Sequence, residues 1–101
     1  MKDIRHTLIS LLLLFLSAGA TNVFAQQDAE EQFKTGVRYE EGDSVEKDLK
    51  KAVEWFEKAA NQGHPQAQLN LSGFYEYGEG VEKDLEKAAY WKKKYEENPN
   101  K

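Results

Sequence analysis

One segment of the chain occurs twice, 36 residues apart, and this duplication restricts the folds open to it. Tyr39-Glu40-Glu41-Gly42-Asp43-Ser44-Val45-Glu46-Lys47-Asp48-Leu49 returns as Tyr75-Glu76-Tyr77-Gly78-Glu79-Gly80-Val81-Glu82-Lys83-Asp84-Leu85. Lys51-Ala52 then pairs with Lys87-Ala88, Trp55 with Trp91 and Lys58 with Lys94, so twelve of the 20 positions from Tyr39 to Lys58 match their counterparts. A period of this length marks a stacked array, in which a unit buries its apolar face only against its neighbour. Arrays of this kind usually bind other molecules rather than transform them.

Each unit reads as a pair of helices. From Asp28 to Glu41, and again from Pro65 to Tyr77, apolar and small residues recur at spacings of three and four; Ala67, Leu71, Phe74 and Tyr75 are examples. That spacing gathers them on one helical face. Gly42 and Gly78 follow, where a helix ends in a left-handed residue. Asp48 and Asp84 precede the next apolar stripe and can accept hydrogen bonds from its free first-turn amides. Leu49, Ala52, Val53, Phe56 and Ala60 form that stripe in the first unit, and Gly63-His64-Pro65 ends one helix and opens another. The pattern predicts helices over 28–41, 48–62, 65–77 and 84–97. No segment alternates as a strand does, so the fold class is all-α.

The first 25 residues are different in kind. Lys2 and Arg5 lead into an apolar run from Leu8 to Leu16, then small residues, then Val23-Phe24-Ala25. A basic head, a short apolar middle and a small-residue exit make a secretory signal peptide with cleavage after Ala25. The run falls short of the ~20 residues that span a bilayer comfortably; an uncleaved N-terminal anchor is the rival reading. There is no cysteine to carry a lipid or a disulfide. Cleavage leaves residues 26–101 with 12 basic and 17 acidic side chains, a net charge of −5. That balance argues against nucleic acid and anionic membrane surfaces as partners, and places the product in the periplasm or outside the cell.

The second unit, from Leu71-Ser72-Gly73-Phe74-Tyr75 through Gly78-Glu79-Gly80-Val81 and Asp84 to Lys87-Ala88 and Trp91, resembles the Sel-1-like repeat (SLR). This family is related to the tetratricopeptide repeat. Ala59-Ala60-Asn61-Gln62-Gly63-His64-Pro65 resembles the junction between successive units. The resemblance implies two helix-turn-helix repeats, about 28–63 and 64–99, stacked as a short right-handed α-solenoid behind the signal peptide. It also implies a scaffold or adaptor that binds a protein or peptide segment. Departures are few. Ser44 replaces the second loop glycine of the first unit, and Ser72 replaces a helix glycine of the second. Tyr95-Glu96 and Asn98-Pro99 stand where Ala59-Ala60 and Gln62-Gly63 stand in the first unit, so the second unit reads as a terminal cap with a solvated outer face.

Catalysis has little to draw on. Residues 26–101 hold one histidine, His64, and two serines, Ser44 and Ser72, and a nucleophile needs a base and an orienting partner close by. No catalytic residue, metal site or cofactor follows from this inventory, and His64 is expected in a solvated turn. The repeated Trp55/Trp91 and Tyr39/Tyr75 are expected to pack in the core. By analogy with the family, first helices line a concave surface. The candidate binding residues there are Phe33, Val37 and Glu40 on the first unit, with Gln66, Leu69, Gly73, Glu76 and Tyr77 on the second. The competing reading is that Phe33 and Leu69 only seal helix contacts. Two other functions remain open: a penicillin-binding or β-lactamase-like enzyme of the secreted repeat family, and a structural protein that self-associates by stacking.

Overall fold

The structure, a computed structural model, describes residues 29–101. The signal-peptide expectation for residues 1–25 lies outside the described residues. Among those described, four helices follow one another: α1 (29–41), α2 (Leu49–Asn61), α3 (Pro65–Tyr77) and α4 (Leu85–Glu96). None is long and apolar enough to cross a membrane.

Local chemistry sets the ends. Asp48 accepts from the Lys51 amide at 3.1 Å, and Asp84 from the Glu86 and Lys87 amides, both at 3.1 Å, satisfying donors that a helix start leaves free. Gly42 and Gly78 sit just past α1 and α3 in the left-handed region. The duplication extends to the backbone: the Asp48 and Asp84 amides donate to the Tyr39 and Tyr75 carbonyls at 2.9 Å each. Lys51 and Lys87 lie over the Tyr39 and Tyr75 rings at 5.5 and 5.3 Å. Identical residues thus make identical contacts.

One core runs through both units. Ala52, Val53, Phe56, Ala59 and Ala60 of α2 pack with Ala67, Leu71, Phe74 and Tyr75 of α3 and with Ala88 and Trp91 of α4. Phe33, Val37 and Tyr39 of α1 lie partly buried against it. Phe56 is completely buried, its ring 5.5 Å from Phe33 and 5.6 Å from Phe74. Gly36 makes room for it, since a Cβ there would lie 2.7 Å from the Phe56 ring. In the second unit that position is Ser72, which is tolerated because the counterpart of Phe56 is the exposed Lys92.

Burial of the repeated tryptophans differs from expectation. Trp91 is 8% exposed and joins the core, whereas Trp55 is half-buried, outside it, under the Lys58 ammonium at 4.2 Å. The next residue, Phe56, takes the fully buried position in α2.

A polar seam also recurs. The Gln62 amide donates to Gln32 at 2.7 Å, and at the equivalent positions Asn98 donates to Gln68 at 2.8 Å. Asn98 also donates to the Gly63 carbonyl at 2.8 Å, and Gln68 to the Ala60 carbonyl at 3.2 Å. Buried polar groups must be paired in this way, and the pairing fastens the segment after α4 to the junction between α2 and α3.

The loop positions Ser44 and Gly80 share one left-handed conformation, φ 63° and 67°. Only Gly80 is confined: a Cβ there would fall 2.6 Å from the Leu49 carbonyl oxygen, while Ser44 is exposed. Ser44 therefore carries only the conformational cost. Ser44→Gly is expected to raise stability by about 0.5–1 kcal/mol, read as a higher urea midpoint at unchanged slope.

Candidate functional site

A groove of about 380 Å³ lies between the C-terminal end of α1 and the exposed side of α3. Leu69, Asn70, Gly73, Phe74 and Tyr77 come from α3, Glu40 from α1, and Glu79 from the loop after α3. The i, i+4 spacing of Leu69, Gly73 and Tyr77 stacks them on one face. Leu69 is 38% exposed and Tyr77 71%, so both present apolar surface to solvent. Between them, a Cβ built on Gly73 meets nothing within 4 Å, so the groove has an open floor. Burial pushes the Glu40 carboxyl above the usual carboxylate range, and the Glu41 and Glu79 carboxylates push it further; Lys47 acts in the opposite sense.

Four of the expected residues, Glu40, Leu69, Gly73 and Tyr77, therefore meet in one place. The other four do not. Phe33 and Val37 line a separate hollow on α1 with Glu31, Lys34, Thr35, Arg38 and Asp43. Phe33 is also engaged in packing, with its ring 4.4 Å from that of His64 and nearly parallel to it. Phe33 thus packs against the neighbouring helices as well as lining that hollow. Gln66 turns to Asn70 at 3.0 Å, and Glu76 is exposed away from the groove lining. Glu79 was missed because its counterpart, Asp43, is a different residue and the loop showed no apolar periodicity.

His64 is not the solvated turn residue expected. Its side chain is 12% exposed, and Nδ1 accepts from the Ala67 amide at 3.2 Å, capping α3. That role leaves the ring proton on Nε2, which donates to Glu30 at 2.6 Å. Both ring nitrogens are committed to joining α1 to the start of α3. Ser72 is buried within α3. Among the described residues no three of His, Cys, Asp and Glu converge as a metal site would require.

A larger groove, about 860 Å³, runs between α2 and the loop leading to α4. At its wall the Tyr75 hydroxyl donates to the Glu57 carboxylate. Burial, together with the hydrogen bond and charge of Glu57 and the charge of Asp84, pushes the Tyr75 hydroxyl up to about 12 from its ordinary 10.0. A folded-state value above the unfolded one favours the fold below pH 10 and loses that contribution as the pH rises through 12. Between pH ~10 and ~12 the protein should therefore lose stability relative to Tyr75→Phe, by about 1 kcal/mol after solvent screening of the Glu57 contact, measured by paired urea titrations across that range.

The Sel1 repeat matches this chain in two consecutive copies, residues 32–64 and 65–94. The chain belongs to the Sel1 repeat family. Two solved structures carry the same fold. A Sel1 repeat protein from Oxalobacter formigenes is 38% identical, with a TM-score of 0.66, over 69% of this chain and 28% of its own. A protective antigen of uropathogenic Escherichia coli strains displaying an SLR fold is also 38% identical, with a TM-score of 0.68, over 71% of this chain and 15% of its own. The chain thus spans under a third of the length of either protein. No curated protein matches it. Sel1 repeats are generally protein–protein interaction modules, and proteins built from them are typically non-enzymatic scaffolds.

Proposed function

We propose that this Sel1 protein is an exported adaptor that holds a segment of a partner protein in the groove between α1 and α3. The observation that carries the reading is the pairing of exposed Leu69 and Tyr77 across the open floor at Gly73. Apolar anchors around a hollow, rimmed by polar groups, are what a protein interface needs. The groove also draws on both repeats, so the stacked array is required to form it. Export rests on the basic-apolar-small order of residues 1–25, which places the adaptor in the periplasm or outside the cell.

Head-to-tail stacking of copies is opposed by the outer face of α4. Leu49, Val53, Phe56 and Ala60 of α2 correspond there to Leu85, Ala89, Lys92 and Glu96. Charge thus replaces apolar side chains at the Phe56 and Ala60 positions, although Leu85 is left 61% exposed. Ser44 adds an obstacle, because its Cβ occupies the place that Gly80 leaves free against Leu49.

Once the partner is identified by crosslinking and mass spectrometry in the source cell, Leu69→Glu and Tyr77→Ala should each weaken its binding about thirtyfold or more with helicity unchanged. Calorimetric titration of each variant makes the test. Wild-type affinity in both would end this assignment.

A further inference from the structure

The described grooves differ in how they balance charge. The largest is lined by Lys50, Lys83 and Lys87 against Glu54, Glu57, Glu82 and Asp84. The hollow on α1 sets Lys34 and Arg38 against Glu31 and Asp43, and the one beside Tyr39 sets Lys47 and Lys51 against Glu46 and Asp48. Each of these is largely compensated from within. The groove between α1 and α3 is not: its lining holds Glu40 and Glu79 and no cation. The two carboxylates stand on different repeats, one at the end of α1 and the other in the loop after α3, so the stacking itself brings them to one opening. The apolar floor between them, Leu69 and Phe74 with the gap at Gly73, lowers the local dielectric and makes the imbalance more costly than on open surface.

Resting on the reading of this groove as the docking face, we infer that its occupant is a cationic segment, with Lys or Arg placed beside an apolar or aromatic residue. The apolar side chain fills the space over Gly73 against Leu69 and Tyr77, and the ammonium or guanidinium lies between Glu40 and Glu79. The position of the Glu40 carboxyl above its usual range agrees with this arrangement. Burial and like charge already oppose its ionisation, and the charge of a bound cation offsets that cost. An acidic segment would add a third negative charge to an opening whose own lining holds no cation, so the groove also rejects by sign.

The test is selection of binders from a random peptide library on the full chain, followed by titration of the best binder against three variants. Bound sequences are expected to pair Lys or Arg with Leu, Phe, Tyr or Trp. The chosen peptide should lose about tenfold in affinity on Glu40→Gln/Glu79→Gln, and weaken as salt rises from ~10 mM to ~1 M. It should lose its binding on Leu69→Glu. Glutamine keeps the size of both side chains and removes a charge that the fold disfavours at Glu40, so the double variant stays folded. Binders that are neutral or acidic, lost on Leu69→Glu but indifferent to the glutamine pair, would overturn the cationic assignment and leave the groove standing. Binders indifferent to Leu69→Glu, or a library with no enrichment, would remove both.

Discussion

Replacing Phe56 with alanine is expected to cost about 3–5 kcal/mol and to abolish cooperative unfolding at 25 °C. Phe56 packs its ring against Phe33 of α1 and Phe74 of α3 at once, and it is wholly buried. Its removal leaves a void under three helices, and Gly36 has no side chain with which to fill it. A single small core rarely supplies more than ~3–5 kcal/mol of net stability, so the loss matches the whole margin. Phe56→Leu, which keeps most of the volume, should cost about 1–1.5 kcal/mol and retain the transition. Urea melts followed by far-ultraviolet ellipticity distinguish the two. A Phe56→Ala melt within ~1 kcal/mol of wild type would mean that α1 and α3 do not meet through this ring.

The second large effect lies at the seam between repeats. Gly80→Ala is expected to destabilise by about 3 kcal/mol, with two contributions. A left-handed backbone costs an L-residue roughly 1–2 kcal/mol, and the new methyl would stand 2.6 Å from the Leu49 carbonyl oxygen. Crowding of this kind costs about 1–3 kcal/mol. Ser44→Ala is the control for an exchange between L-residues, in which the backbone cost does not change. It has the same loop position and the same handedness but no neighbouring helix end, and it should change stability by less than ~0.5 kcal/mol. A Gly80→Ala loss of only about 1–2 kcal/mol, the left-handed backbone cost alone, would show that the loop does not press against α2.

The helices and their ends were readable because their signals are local. Asp48, Asp84, Gly42, Gly78 and Pro65 each act within a turn of their own position, and the four helices start and stop within two residues of the ranges expected. What sequence reading could not resolve depended on which neighbour arrives. Trp55 and Trp91 occupy equivalent positions, yet only Trp91 joins the core. Phe33 shared the spacing of a surface stripe but found His64 and Phe56 in space. His64 became a cap because Glu30 and the Ala67 amide lie on its two sides. The pairs Gln32–Gln62 and Gln68–Asn98 did carry a signal. Both members recur at the same offset, with Gln62 changed only to Asn98, but polar residues 30 apart are conspicuous only once the helices are stacked. Four of the seven residues that line the groove were legible, Leu69, Gly73 and Tyr77 through helical spacing and Glu40 as a polar rim, whereas Glu79 joined them only through folding.

Both the groove and the seam require that the two repeats behave as a single unit. Each repeat contains one indole, Trp55 in the first and Trp91 in the second, so Trp55→Phe and Trp91→Phe leave a reporter in one repeat at a time. Urea unfolding of each variant, followed by its remaining tryptophan and by ellipticity, tests this unity directly. The expected result is that, within each variant, fluorescence and ellipticity give the same midpoint and slope. A first repeat that melts while ellipticity still reports the second folded would contradict the account, and would leave Glu40 and Leu69 on separate bodies.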